Sequence, residues 1–156
     1  MNLLLIFTFD VSLQSWDESG LLSRETYPYK VLYEKYGIST TFLTFGNNND
    51  LMFKEKLEHI EIIPIYENIK YSKSKLIRII KSIFFCFKYK AKFHNIDLIK
   101  TNQLSGGWVG LVLRILLSKP LILRTGFDKV VFLLKEKKSK LKVIIYYLLT
   151  QISLSL

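Results

Sequence analysis

The sequence predicts an α/β protein with a Rossmann-like, doubly wound and mainly parallel sheet. Apolar, strand-like runs alternate along the chain with longer segments of helical pattern, as in βαβ units. The apolar runs are continuous, which is typical of parallel strands that helices cover on both faces. With 156 residues, of which 49% are apolar, the chain is long enough for one core, so we predict a single domain over residues 1–156.

Five strands are predicted, beginning with residues 2–9, an uninterrupted apolar run. A secretory signal would begin with basic residues, but the first basic residue is Arg24, so a buried strand is the better interpretation. Residues 38–45 form the second strand and follow Gly37, a residue suited to the left-handed position that ends a helix. The remaining strands are predicted at residues 60–65, 96–101 and 120–124.

Helical patterns occupy residues 20–36, 72–93, 107–117 and about 135–154. Pro28 lies inside the first pattern, so this helix either begins at the proline or kinks there. No apolar run reaches the roughly 18–20 residues that a membrane-spanning helix requires. Because the chain ends on a helical pattern with no strand after it, we expect that a further part of the protein is missing.

The charge is divided unevenly along the chain. Residues 1–67 carry a net charge of −5 and residues 68–156 a net charge of +15. This division indicates a surface that faces a phospholipid membrane, a nucleic acid or a phosphorylated small molecule. A nucleic acid is not expected, because the sequence has no zinc motif, no aromatic RNA-binding signature and no recognisable DNA-reading helix. The single cysteine, Cys86, excludes an intrachain disulfide and lies in an apolar run, which favours packing over catalysis.

The helical pattern at residues 72–93 is amphipathic. Its large apolar side chains recur at helical spacing on one face, and its basic side chains lie largely on the opposite face. Phe85 projects from the middle of the basic face, and an aromatic ring among lysines suits a lipid interface; a solvated helix with one exposed Phe is the alternative. With a second basic cluster at residues 135–142, this helix predicts contact with an anionic membrane surface. The predicted membrane-binding residues are Arg78, Lys81, Phe85, Lys88 and Lys92.

Candidate binding residues follow the predicted strands, because ligands bind beyond the carboxyl ends of the strands in open parallel sheets. The loop after the first strand carries Ser12, Trp16 and Asp17. A hydroxyl, an aromatic ring and a carboxylate suit a sugar, whose hydroxyls need polar partners and whose C–H face stacks on a ring. The alternatives are that Asp17 caps a helix and that Trp16 packs in the core.

The loop after the fourth strand carries Asn102 and Gln103, followed by Gly106 and Gly107 at the start of a helix. Two glycines permit a close backbone approach, and the helix N–H groups can hold an anion. The loop is neither a GxGxxG nor a Walker motif, so nucleotide binding is not specifically indicated, and a tight turn is the alternative.

The loop after the fifth strand carries Arg124 and Asp128. An arginine binds a phosphate or carboxylate through two parallel hydrogen bonds, so a substrate group is one expected partner. A structural ion pair between the two residues is the alternative.

Together these blocks resemble glycosyltransferase family 4, the retaining GT-B enzymes, over about residues 1–150. The resemblance implies a Rossmann-like N-terminal domain that binds the acceptor and forms one side of a cleft. The matching segments are the first strand, the loop with Ser12, Trp16 and Asp17, the helix entered at Gly20 with Arg24 and Glu25, the block from Asp97 to Gln103 with Gly106, Gly107 and Trp108, and the block from Lys119 to Asp128.

The resemblance implies transfer of a sugar, with retention and usually without a metal, from a nucleotide-sugar donor to a glycan or lipid-linked acceptor. The family's donor-binding C-terminal domain carries two glutamates spaced eight apart, and nothing in this sequence matches it. We therefore expect that domain to be absent and this chain to be inactive alone, with its catalytic residues unassigned. The acceptor-binding residues that the resemblance implies are Ser12, Trp16, Asp17, Asn102, Gln103, Gly106, Gly107, Arg124 and Asp128.

Many members of the family dock on the cytoplasmic membrane through a basic N-terminal domain. The resemblance thus implies a cytoplasmic protein, peripheral on the inner face of the cytoplasmic membrane, that takes part in the synthesis of a polysaccharide or glycolipid of the cell envelope. The alternative is a non-catalytic membrane-docking module that recruits a separate donor-binding subunit.

Overall fold

The structure is a computed structural model that describes residues 1–125. It contains a five-stranded, all-parallel sheet in the order β3-β2-β1-β4-β5, which is the strand order of the Rossmann fold and confirms the predicted fold class. Asp128, the helical pattern at 135–154 and the basic cluster at 135–142 lie outside the described residues. The strands are β1 (Asn2–Ile6), β2 (Ser39–Thr44), β3 (Ile60–Pro64), β4 (Leu98–Thr101) and β5 (Leu121–Ile122).

All three helical patterns predicted within the described residues are helices, although their ends differ by a few residues. Two short helices were not predicted: α1 forms inside the polar segment that was expected to be a loop after β1, and α3 follows β3 directly. Two 3₁₀ helices, at Asn48–Phe53 and Lys90–Phe93, complete the connections. The α-helices are α1 (Leu13–Glu18), α2 (Leu22–Tyr36), α3 (Ile65–Asn68), α4 (Lys75–Tyr89) and α5 (Gly107–Leu117).

Helices cover both faces of the sheet, with β1 buried at its centre. Phe42 of β2 packs on Tyr29 of α2, with ring centroids 5.1 Å apart, and it pairs in register with Leu5. Ile6, the next residue of β1, lies against Gly110 of α5. Because successive side chains of a strand point to opposite faces, α2 and α5 lie on opposite sides of the sheet. Burying each large apolar side chain stabilises the fold by about 1.5–3 kcal/mol.

Helix α2 ends at a glycine and contains a proline in its interior. Gly37 adopts the predicted left-handed conformation at the C-terminus, with φ of 61°. Pro28 lies in the interior of the helix and is not its first residue. Proline cannot donate a backbone hydrogen bond, so the helix is held at this point by its buried side chains, Thr26 and Tyr29.

Helix α4 buries one face against the protein, and this is the face opposite to the one that its apolar residues predicted. Its buried side chains are Arg78, Ser82, Phe85 and Cys86, so the predicted membrane contact through Phe85 and Arg78 is wrong. Phe85 is 0% exposed and Arg78 is 8% exposed. The physical reason is that Arg78 and Ser82 have polar partners on other elements, which fixes the rotation of the helix. The apolar side chains left at the surface are Leu76, Ile77, Ile80, Phe84 and Phe87.

Within residues 1–125, none of the helices has the length and apolar character needed to cross a bilayer.

Candidate functional site

A cleft of about 530 Å³ lies at the carboxyl ends of β1 and β4. From β1 the chain continues to β2 on one side, whereas β4 leads to β5 on the other, so this is the point where the strand order reverses. Ligands of doubly wound sheets bind at such a point. The cleft is lined by Thr8, Val11, Ser15, Trp16, Ser19, Leu21, Arg24, Glu25, Asn102, Gln103 and Arg124.

A second cleft, of about 580 Å³, opens at the other edge of the sheet, with Ser39, Ile60 and His94 in its lining. Although it is slightly larger, it lies at the amino ends of the strands, where parallel sheets do not place their ligand sites. We therefore take the cleft beside β1 and β4 as the candidate site.

Helix α1 positions two polar side chains of the site. Ser12 caps the helix: its Oγ accepts a hydrogen bond of 3.0 Å from the backbone N–H of Ser15, and Ser15 Oγ accepts one of 2.9 Å from Ser12 N–H. This reciprocal capping fixes the start of the helix, on which Ser15, and Ser19 one turn later, line the cleft. Ser12 itself lines a smaller neighbouring cavity, so its predicted contact with the acceptor is replaced by a capping role.

Trp16 is primarily a packing residue, and Asp17 lies away from the cleft. Trp16 is only 4% exposed and stacks on Phe7 with ring centroids 4.1 Å apart, so little of its surface is open to the cleft that it lines. The carboxylate of Asp17 is 3.7 Å from the ammonium of Lys56. The packing alternative for Trp16 is therefore confirmed, while Asp17 neither lines the cleft nor faces it.

Asn102 and Gln103 both line the cleft, as predicted. The backbone N–H of Asn102 donates to the carbonyl of Ile6 at 2.8 Å, which continues the hydrogen-bonding ladder between β1 and β4. Asn102 is thereby held rigidly at the end of the sheet. Its amide group and that of Gln103 offer both donors and acceptors to a ligand.

Gly106 and Gly107 permit a close approach, but to the protein's own chain. A Cβ atom on Gly106 would lie 2.7 Å from the carbonyl oxygen of Phe7, and the residue has φ of 104°. A Cβ atom on Gly107 would lie 3.2 Å from a methyl group of Leu123. Neither glycine lines the cleft, so both are explained by the packing of α5 on the sheet.

Arg24, Glu25 and Arg124 bring charge to the cleft. Arg24 Nη2 is 2.7 Å from Glu25 Oε1. Arg124 is held by its backbone N–H, which donates to Thr101 Oγ1 at 3.1 Å and so fixes the segment after β5 against β4. The pairing of Arg124 with Asp128 stays a prediction, because Asp128 is not among the described residues.

Lys100 is a charged residue that sequence reasoning missed. It lies near the end of β4, and its Nζ is 3.3 Å from the hydroxyl of Tyr29. Burial lowers the pKa of Lys100, and the charge of Arg124 lowers this pKa further, while Glu25 acts in the opposite direction. Burial also raises the pKa of Tyr29 to about 12, so its hydroxyl stays protonated and neutral at physiological pH.

Cys86 takes no part in this site. Its thiol is buried and donates to the carbonyl of Ser82 at 3.2 Å. Burial raises the pKa of Cys86 to about 12, which suppresses the thiolate form that a nucleophile requires. For the part of the chain that the structure describes, no group of three or more His, Cys, Asp and Glu side chains is placed to hold a metal ion.

The chain has no match among known protein families, curated proteins or solved structures. The functional argument consequently depends on the fold and on the chemistry of the cleft.

Proposed function

We propose that this chain is the acceptor-binding domain of a GT-B glycosyltransferase similar to family 4, which transfers a sugar from a nucleotide-sugar to a polysaccharide or lipid-linked acceptor. The observation that carries the proposal is the cleft at the point where the strand order reverses, lined by hydroxyl, amide and guanidinium groups. Carbohydrates present many hydroxyls that each donate and accept hydrogen bonds, and this mixture of side chains is complementary to them.

In this proposal the domain orients the acceptor hydroxyl. Asn102 and Gln103 bind sugar hydroxyls from the end of β4. Ser15 and Ser19 accept hydrogen bonds from sugar hydroxyls on the side of α1, because their own hydroxyls already donate to the carbonyls of Ser12 and Ser15. The site is built on strand ends and a capped helix, so the acceptor is held in one orientation, and orientation is a large part of catalysis of a reaction between two bound molecules. The donor and the groups that stabilise the transition state belong to a second domain, so we expect no turnover by these 156 residues alone.

Acceptor binding is tested by adding a panel of oligosaccharide fragments to the purified chain and measuring the shifts of its amide NMR signals. We expect binding that Asn102→Ala and Gln103→Ala each weaken by about two- to tenfold, since a hydrogen bond contributes about 0.5–1.5 kcal/mol. Asn95→Ala is the matched control, because Asn95 is exposed in the cleft at the opposite edge of the sheet. Transfer of sugar from a nucleotide-sugar by the chain alone would contradict the proposal that one domain binds the acceptor and a second domain binds the donor.

A second candidate function, membrane docking, is favoured by the outer face of α4. Here the docking surface means Leu76, Ile77, Ile80, Phe84 and Phe87, which are all exposed. Residues 68–125 contain twelve basic side chains and one acidic side chain, so the apolar surface lies in a basic part of the chain. Exposed apolar side chains beside lysines suit the interface of an anionic membrane. This proposal would place the protein on the inner face of the cytoplasmic membrane, with or without a catalytic partner subunit.

Membrane docking is tested by sedimentation with anionic and neutral vesicles. We expect Phe84→Ser to weaken binding to anionic vesicles severalfold, because Phe84 is 67% exposed at the middle of the docking surface. Tyr27→Ser is the control, since Tyr27 is 65% exposed but lies on α2. Equal binding to both kinds of vesicle would remove the electrostatic part of the proposal. Copurification with a donor-domain protein would favour the recruiting subunit over the single enzyme.

A further inference from the structure

The candidate cleft carries an excess of positive charge. Arg24 and Arg124 both line it. Lys100 is not in the lining but lies next to it, because it pairs in register with Ile122, two residues before Arg124, and the charge of Arg124 disfavours its ammonium form. The carboxylate that opposes them is Glu25, which is already paired with Arg24. These four side chains together have a charge of +2.

The position of Lys100 is unfavourable in the absence of an anion. Its ammonium group is partly removed from water, and the contact recorded for it is the neutral hydroxyl of Tyr29 at 3.3 Å, with the ring centroid at 5.3 Å. None of the ion pairs found within residues 1–125 includes Lys100 or Arg124. Burying a charge without an ionic partner costs free energy, and a second cation nearby adds to that cost. An anion bound between the two cations would offset both terms.

We propose that the cleft contains a phosphate subsite, in which Arg124 and Lys100, assisted by Arg24, bind a phosphate group of the substrate. A phosphate carries a charge of about −1.5 to −2 at neutral pH, which matches the excess on the four side chains, whereas a carboxylate neutralises only half of it. Arginine binds two phosphate oxygens at once, and lysine acts as a point charge behind it.

The phosphate belongs either to a phosphorylated sugar acceptor or to the diphosphate of the nucleotide donor. Assigning it to a sugar-transfer substrate rests on the proposed function, but the phosphate site itself does not. Because Asn102 and Gln103 line the same cleft, a sugar attached to the phosphate would meet the amide groups of the strand end.

The subsite is tested by titrating the complete chain with inorganic phosphate at constant ionic strength, using calorimetry and amide NMR. We expect saturable binding that Lys100→Met and Arg124→Gln each weaken by about tenfold or more, since hydrogen bonds to charged groups contribute about 1.5–3 kcal/mol. Lys54→Met is the control, because it removes the same charge from an exposed position outside the cleft. Binding should also raise the pKa of Lys100, which NMR of its side chain measures and which a purely structural role would leave unchanged.

Further titrations identify the source of the phosphate. Tighter binding of glucosyl phosphate than of methyl glucoside and uridine diphosphate assigns the subsite to the acceptor, and tightest binding of uridine diphosphate assigns it to the donor. Absence of saturable phosphate binding, or an equal loss in Lys54→Met, overturns the subsite. Sugar transfer is not needed for this measurement, so phosphate binding without any carbohydrate binding would reject the proposed function and leave the subsite standing.

Discussion

Asp10 has a left-handed backbone conformation, with φ of 62°, at the point where the chain leaves β1. Its carboxylate accepts two hydrogen bonds from Arg78, at 2.8 Å from Nε and 2.6 Å from Nη2. The Nη1 of Arg78 donates to the carbonyls of Ser72 and Lys73. This guanidinium therefore fastens the start of α4 to the loop after β1, and the strained backbone of Asp10 is maintained by that pair.

Removing one partner of this pair should destabilise the domain more than breaking an exposed pair. We expect Arg78→Met to lower the urea midpoint of unfolding clearly, because it leaves the Asp10 carboxylate without its partner. The control is Lys30→Met, which breaks the exposed pair of Lys30 with Glu34 and should change stability by less than about 0.5 kcal/mol. Equal midpoints for the two variants would show that Arg78 is not a structural residue.

Gly106 should be intolerant of a side chain because of both its conformation and its neighbour. We expect Gly106→Ala to cost about 2–3 kcal/mol in unfolding free energy, since its φ is 104° and the added Cβ would meet the carbonyl oxygen of Phe7. Gly20→Ala shares the positive φ but has nothing within 4 Å, so we expect only about 1 kcal/mol. If chemical denaturation gives the same loss of unfolding free energy for both variants, the whole effect comes from the backbone conformation and none from the contact with Phe7.

Lys100 should make stability depend on pH in a defined direction. Its pKa in the folded protein lies below the usual lysine value of 10.5, so the charged form destabilises the fold at neutral pH. We expect Lys100→Met to be more stable than the wild type at neutral pH, and the difference to shrink as the pH rises through the folded pKa toward 10.5. Thermal melts in phosphate-free buffer at several pH values measure this. A difference that grows with pH would contradict the lowered pKa.

In helix α4, the face that was expected to be exposed is buried, and the face that was expected to be buried is exposed. Residues at helical spacing form two stripes, one of large apolar side chains and one of Arg78, Ser82, Phe85 and Cys86. The second stripe is the buried one, because Ser82 accepts a hydrogen bond of 3.1 Å from the indole of Trp108 on α5. Small side chains on this stripe also allow α5 to come close.

Neighbouring phenylalanines of α4 provide a direct test of this orientation. We expect Phe85→Ala to cost about 3–5 kcal/mol, as is usual for a fully buried Phe, and Phe84→Ala to change stability by less than about 0.5 kcal/mol. Urea denaturation of the two variants measures both values. The reverse order would restore the rotation that the apolar pattern predicted and would remove the docking surface.

For the whole molecule, the parallel sheet decides where chemistry is concentrated. Every loop that follows a strand emerges at one edge, so residues as distant in sequence as Ser15 and Arg124 line one cleft. The parallel direction of the strands also separates this cleft from the amino-edge cleft that contains His94. A basic second half of the chain thus contributes to two features, the charged cleft and the surroundings of the docking surface.

The parts of the site that could be predicted from the sequence are those set by strand ends. Asn102, Gln103 and Arg124 were identified because each lies at the end of a predicted strand, and all three line the cleft. Ser12 and Asp17 were not distinguished from Ser15 and Ser19, because a short capped helix replaces the expected loop and its rotation decides which side chains face inward. Lys100 was missed because a lysine near a strand end has no motif of its own.

The alternation of continuous apolar runs with helical patterns was sufficient for the fold class, since backbone hydrogen bonding and burial leave few other arrangements for such a chain. Local chemistry also determined the end of α2 at Gly37. Contacts between distant residues decided the rest: Arg78 meets Asp10 across 68 positions, and Lys100 meets Tyr29 across 71. Such pairs set the rotation of α4 and the charge of the cleft. They cannot be predicted from the sequence pattern, because the two residues of each pair come close together only when the helices and strands pack.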